Sequence, residues 1–229
     1  MNDTAMPTDQ TEKKKPVRPK NSASLIVLRR EGDEMTVLMG RRGRKAVFSD
    51  VYVFPGGKVD ASDRRVGEAS ALAPDILGRL SSNPVHGRSF ATAAVRETFE
   101  ETGLLLADKG DIGTVDKGSW AEMGEMGLAP DLAKLTYVGH AITPSTQPAR
   151  FNARFFMAWA DDLQGELGGS GELADLAFLP LAKAKELPLV DVTSFMLEEI
   201  GRRSENDFAA MDGYPFFTYR GGKRYRRYR

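Results

Sequence analysis

The stretch that decides the reading of this chain is Arg96-Glu97-Thr98-Phe99-Glu100-Glu101-Thr102-Gly103. It closes a segment of helical apolar spacing that begins at about Ser89, and Gly103 stands where helices end on a left-handed residue. At about 100° per residue, placing Glu97 at 0° puts Glu100 at about −60° and Glu101 at about +40°. Val95, Phe99 and Thr102 then fall on the opposite side, toward a core. Three carboxylates on one face repel one another. Arg96 reaches Glu100 at i+4, but one guanidinium cannot neutralise three acids. A convergent set of hard oxygen ligands is what Mg²⁺ or Mn²⁺ requires; the alternative is a solvated acidic face.

Outward from this helix, strands and helices interleave. Toward the N-terminus, Val51-Tyr52-Val53-Phe54 reads as a short strand ended by Pro55-Gly56-Gly57. Ser24–Leu28 and Met35–Met39 form a hairpin pattern around Glu31-Gly32-Asp33-Glu34. Residues 1–21, rich in Lys and Pro and poor in apolar side chains, read as a disordered tail. Between the glycine loop and the acidic helix, residues 64–89 form an excursion. Glu68–Leu80 has helical spacing that Pro74 interrupts, and Ser81-Ser82-Asn83-Pro84 closes it. Toward the C-terminus, a short helix is expected at Trp120–Met126, strands at Leu135–Ile142, Ala153–Ala160 and Ala177–Leu179, and a helix from about Thr193 to Arg203. The interleaving predicts an α/β class. The expected domain is 22–215, followed by a basic-aromatic tail at 216–229.

Arg96-Glu97-x-x-Glu100-Glu101-x-Gly103 resembles the second half of the Nudix box, G-x5-E-x7-R-E-U-x-E-E-x-G-U, with Thr98 where an aliphatic residue usually sits. Phe54-Pro55-Gly56-Gly57-Lys58-Val59-Asp60 resembles the family's glycine loop. Six residues after Gly57 stands Asp63 instead of Glu, and 33 positions separate it from Arg96, against 8 in the uninterrupted box. The 64–89 insertion resembles a subgroup that includes coenzyme A diphosphatases. This resemblance implies an α/β/α sandwich with a mixed sheet and a hydrolase that cleaves a diphosphate linkage. It implies metal ligation by Glu97, Glu100, Glu101 and the carbonyl of Gly56, with Arg96 orienting the carboxylates. A further ligand or general base is expected before a late aromatic strand. Glu172, six residues ahead of Phe178, is preferred to Glu166, and Glu97 or Glu172 is the base.

For the substrate, the segment from Thr143 to Phe156 resembles one in the interrupted-box subgroup. Arg150 and Arg154 are candidates to bind phosphate and Phe151 to stack on a base; merely solvated arginines are the alternative. Arg41 occupies an arginine position of coenzyme A-cleaving relatives, although Ala46 and Asp50 depart from their pattern. The expected partner is a small nucleoside diphosphate compound, with homodimerisation open.

Composition narrows the field. Lys+Arg and Asp+Glu each total 32, so no net charge points to nucleic acid or a membrane surface. The chain has no cysteine, which excludes disulfides, thiolate nucleophiles and Cys-based zinc sites, and a cytoplasmic location is expected. His86 and His140 read as structural, and no G-x-S-x-G elbow supports an acyl-transfer triad. Two other readings are a Nudix-fold module that senses a nucleotide without cleaving it, and an RNA-associated protein that uses its basic C-terminus.

Overall fold

The computed structural model describes residues 17–43, 49–115, 117–208 and 213–229. Its centre is a mixed nine-stranded sheet. The strands are β1 (Lys20–Glu31), β2 (Glu34–Arg42), β3 (Tyr52–Val53), β4 (Gly56–Lys58), β7 (Thr136–Ile142), β8 (Phe151–Trp159), β9 (Leu173–Pro180), β10 (Pro215–Arg220) and β11 (Lys223–Tyr228). β5 (Ala107–Lys109) and β6 (Leu128–Pro130) form a separate small ladder. The helices are α1 (Pro74–Leu80), α2 (Pro84–Thr102), α3 (Ser119–Glu125), α4 (Leu181–Ala184) and α5 (Asp191–Ser204).

The main order is β11-β10-β7-β8-β1-β2-β3, with β4 against β1 and β9 against β2. The β1–β8 and β10–β7 pairs are parallel and the rest antiparallel. Alternation along β1 divides the core. Leu25 and Val27 pack toward α2 with Phe90, Val95 and Phe156, while Ile26 and Leu28 pack toward α5 with Phe155, Phe195 and Ile200. The result is the expected α/β/α sandwich with a mixed sheet. No helix among the described residues is long and apolar enough to cross a membrane.

Several boundaries differ from the expectations. The acidic helix begins at Pro84 rather than near Ser89. Asn83-Pro84 starts the helix instead of closing the segment before it: the Asn83 side chain accepts from the His86 N–H, and Pro84 takes a position whose own N–H would lack a partner anyway. Pro74 likewise opens α1 rather than interrupting a longer helix. The 64–89 insertion thus contributes α1 and a longer α2. It is fastened by Arg88, which donates to the carbonyls of Val66 and Arg64 and to Glu68.

Both tails also need correction. β1 begins at Lys20, inside the segment read as a tail, because residues 20–22 pair with 151–153 of β8; residues 1–16 lie outside the described residues. Residues 216–229 are not a tail. They form the β10–β11 hairpin across Gly221-Gly222, with φ of 55° and 75°, as a tight two-residue turn requires. Phe216 and Phe217 pair with His140 and Ala141 of β7, and the arginines of β11 lie on an exposed edge.

Candidate active site

The acidic face of α2 meets the glycine turn. Gly56, at φ 155°, lies in a region that side chains disfavour, and a Cβ there would strike the Ala23 carbonyl. At Gly57 a Cβ would fall inside the Glu97 carboxylate, so the turn and the helix can approach this closely only through a residue with no side chain. The Gly56 N–H donates to Glu101 Oε2 at 2.7 Å and fixes turn to helix directly. At this same end of the helix, Gly103 caps it at φ 75°. The 166–170 loop folds back there, with Gly168 N–H donating to the Thr102 carbonyl and Ser170 N–H to that of Glu100. That return brings Glu172 to the cleft.

Arg96 ties these parts together. Nε and Nη2 donate to the two oxygens of Asp63 at 2.8 and 3.0 Å, Nη2 also to the Lys58 carbonyl, and Nη1 reaches Glu97 and Glu100. Asp63 is fully buried and accepts in addition from Trp120 Nε1 and the Asp60 N–H. Despite the long insertion, the acid at the end of the glycine loop is therefore an anchor for Arg96. Burial opposes the charge on Arg96, but the hydrogen bonds and proximity of Asp63, with Glu97 and Glu100, hold it firmly protonated. Thr98, at the position usually aliphatic, is buried with its hydroxyl donating to the Ala94 carbonyl.

Two of the helix carboxyls sit well above the ordinary range. Burial pushes Glu97 up to about 7, with Arg96 opposing and Glu100 adding to the rise. Burial pushes Glu101 up to about 8; the Gly56 N–H opposes this, and the charges of Glu97 and Glu172 reinforce it. Glu100 is held by Arg96 and by the Ser119 hydroxyl at 2.6 Å.

These residues form one wall of a cleft of about 910 Å³. Arg42 and Lys58 add positive charge to it. The opposite side is apolar and aromatic, lined by Phe151, Phe155 and Leu189 together with Phe217 and Tyr219 of the hairpin. Asp191, the first residue of α5, anchors that wall by accepting from the Tyr219 hydroxyl and from Arg224.

The structure brings Gly56, Arg96, Glu97, Glu100, Glu101, Glu172 and Phe151 to this one cleft. It places all three expected substrate arginines elsewhere. Arg154 is on the far side of the sheet, over the Phe90 ring, because residues alternate along β8 and Phe151, Ala153 and Phe155 take the cleft side. Arg150 donates to the carbonyls of Thr143 and Val17. Arg41 pairs with Asp175 and Asp50 at the surface, and its neighbour Arg42 lines the cleft instead. The other position compared with coenzyme A-cleaving relatives, Ala46, lies outside the described residues. Sequence reasoning missed the hairpin aromatics, and the Gly221-Gly222 pair between aromatic strands was the signal for them.

Each helix carboxylate is held by a protein donor, and among the described residues no three acids or histidines already converge on one point. The donor set nevertheless suits a hard divalent cation. It offers carboxylate oxygens on one face, a single guanidinium shared among the acids, and a buried Glu101 whose hydrogen-bonded donor is a neutral backbone N–H.

A family profile described as the NUDIX domain matches residues 18–199. The chain is 28% identical over 139 residues to a protein named putative nudix hydrolase 7 of Caenorhabditis elegans, covering 55% of this chain and 40% of that protein. It therefore spans less than half the length of that relative. A crystal structure of a NUDIX hydrolase from Alicyclobacillus acidocaldarius superposes with a TM-score of 0.61 and 29% identity, covering 79% of this chain and 90% of that one. A mutator MutT protein from Bacillus halodurans superposes at 0.50 with 17% identity over 90% and 97% of the two chains, a likeness of fold.

Proposed function

The chain belongs to the NUDIX family, and from that premise we propose that it is a divalent-metal-dependent hydrolase of the diphosphate linkage in a nucleoside diphosphate derivative. Coenzyme A-type, ADP-ribose-type and dinucleotide compounds are all eligible. The observation that supports this most is the contact of Glu97 and Glu101 with the Gly56-Gly57 turn at one wall of a large cleft. A solvated acidic helix face would need neither the buried carboxyls nor the two glycines pressed against them.

Mg²⁺ or Mn²⁺ would be held by Glu97, Glu100, Glu101, Glu172 and the Gly56 carbonyl, and would supply neutralisation of phosphate oxygens and acidification of a bound water. Arg96 is a positioning residue: with Asp63 and the Lys58 carbonyl it fixes the carboxylates relative to the turn. Arg42 and Lys58 attract the diphosphate, while Phe151 and Tyr219 offer flat faces to the nucleoside. Glu97 and Glu172 both stand in the cleft to accept the proton of the attacking water. The RNA-associated reading loses its free basic tail, since Arg224 and Arg226 pair with Asp191 and Glu198.

A phosphate-release screen over nucleoside diphosphate compounds with Mg²⁺ or Mn²⁺ tests the proposal. The parent protein turns over at least one compound, and a folded Glu100→Gln/Glu101→Gln variant loses activity on the order of 10³-fold. No turnover of any compound by the parent would favour the nucleotide-sensing module instead.

A further inference from the structure

We propose that a second pocket, on the opposite side of the sheet from the cleft, is a binding site for a small phosphate-type oxyanion. This pocket of about 190 Å³ lies between the last turn of α1, strand β7 and the two ends of the C-terminal hairpin. Its walls are Arg79, Tyr137, His140, Tyr214, Phe216 and Arg229. The rings brace one another, with Tyr137 and Tyr214 at 4.9 Å and His140 and Phe216 at 4.8 Å between centres. Arg79 lies 4.7 Å from the Tyr214 ring centre and Arg229 4.1 Å from that of Phe216.

Two more arginines stand behind these walls. Arg154, paired across the strands with His140, is 8% exposed, and Arg203, 5.7 Å from the Tyr214 ring centre, is 7% exposed. Each has a buried Nε without a hydrogen-bond partner. Their other bonds go to neutral acceptors: Asn152 Oδ1 and the Leu80 carbonyl for Arg154, the Val138 carbonyl for Arg203. Among the described residues none of the four arginines makes an ion pair. The acid whose charge is felt at Arg203 is Glu199, already held by Arg202 and the Tyr228 hydroxyl.

Burying a guanidinium without a counter-charge is costly, and a native fold keeps such a group for a reason. Here Arg79 and Arg229 line one small aromatic-walled space, and Arg154 and Arg203 add two further positive charges behind it. The volume of the pocket leaves room for a phosphate group. Arginine forks match phosphate oxygens, and the rings keep the guanidinium planes in place. The site lies outside the proposed chemistry, since none of its residues lines the cleft.

The test is a titration of the full chain with inorganic phosphate in metal-free buffer, followed by amide NMR and by melting temperature, with chloride at matched ionic strength as control. A parallel arm uses adenosine monophosphate, to tell free phosphate from the phosphate of an ester. We expect saturable shifts at residues 137–140 and 214–217, and a rise in melting temperature. Affinity should fall at least about tenfold in Arg79→Gln/Arg229→Gln, whose altered side chains are at the surface and whose fold is therefore kept. Arg154→Met should melt higher than the parent without phosphate and lose most of the phosphate-induced rise, whereas a purely structural arginine would leave the variant less stable under both conditions. Shifts confined to the cleft, a response equal to that of chloride, or unchanged affinity in the Arg79/Arg229 variant overturns the proposal.

Discussion

The two walls of the cleft are built on opposite plans. The acidic wall centres on one short stretch of α2, Arg96–Glu101, which polar contacts lock to a glycine turn and to Asp63. The aromatic wall is assembled from distant pieces, with Phe151 on β8, Phe155 four residues on, and Phe217 and Tyr219 on a hairpin that lies beyond the stretch matched by the family profile. One wall carries charge that must be held in place, and the other carries shape. Chemistry shared across a family is expected to reside in the first, and selection among substrates in the second.

Gly57→Ala strains the first wall with the least chemical change. The new methyl lands on the Glu97 carboxylate, a flexible group that can swing away, so the protein stays folded with Glu97 displaced. A misplacement of about 1 Å costs about 10²-fold in kcat, with KM little changed. A wild-type kcat would show that the close approach has no bearing on catalysis.

Tyr219→Ala addresses the second wall. The expected outcome is a KM raised about tenfold with kcat within a few-fold, because a lost stacking face is worth roughly 1–1.5 kcal/mol of binding. If kcat falls and KM holds, the hairpin serves the chemistry and the contrast between the walls is wrong.

A smaller effect separates the walls by pH. Glu97 at about 7 and Glu101 at about 8 keep their protons longer in the folded protein than at the ordinary 4.5 of an unfolded chain. Raised carboxyls contribute their full stability below 4.5 and lose it as pH climbs through 7 and 8. The melting temperature of the metal-free protein should therefore decline across that window. Mg²⁺ should flatten the decline, since it offsets the same buried charge. An equal decline with and without Mg²⁺ would place the metal elsewhere.

The same contrast governs how much could be read from the sequence. The acidic helix, its Gly103 cap and the Gly56-Gly57 turn declare themselves within a few residues, because helix periodicity and turn chemistry are local. The hairpin does not: its membership of the sheet depends on pairing between Phe216 and His140, and its outward arginines resemble a solvated tail. Asn83-Pro84 was legible as punctuation but ambiguous in direction, since the same residues can end one segment or cap the next. Arg154 is a phosphate candidate through the resemblance of its segment, with a solvated arginine as the alternative, and period-two alternation from Phe151 already sends it to the other face of β8. Asp63 stood in register with the box, and only its contacts with Arg96 and Trp120 reveal what it holds.

The central claim, that the acidic face of α2 and the glycine turn form a divalent-metal site, is tested most directly by Mn²⁺ binding measured by electron paramagnetic resonance. The parent protein should bind Mn²⁺ saturably, with Mg²⁺ competing, and Glu100→Gln/Glu101→Gln should lose that binding while melting cooperatively. Equal Mn²⁺ binding by the parent and the folded variant would contradict the account.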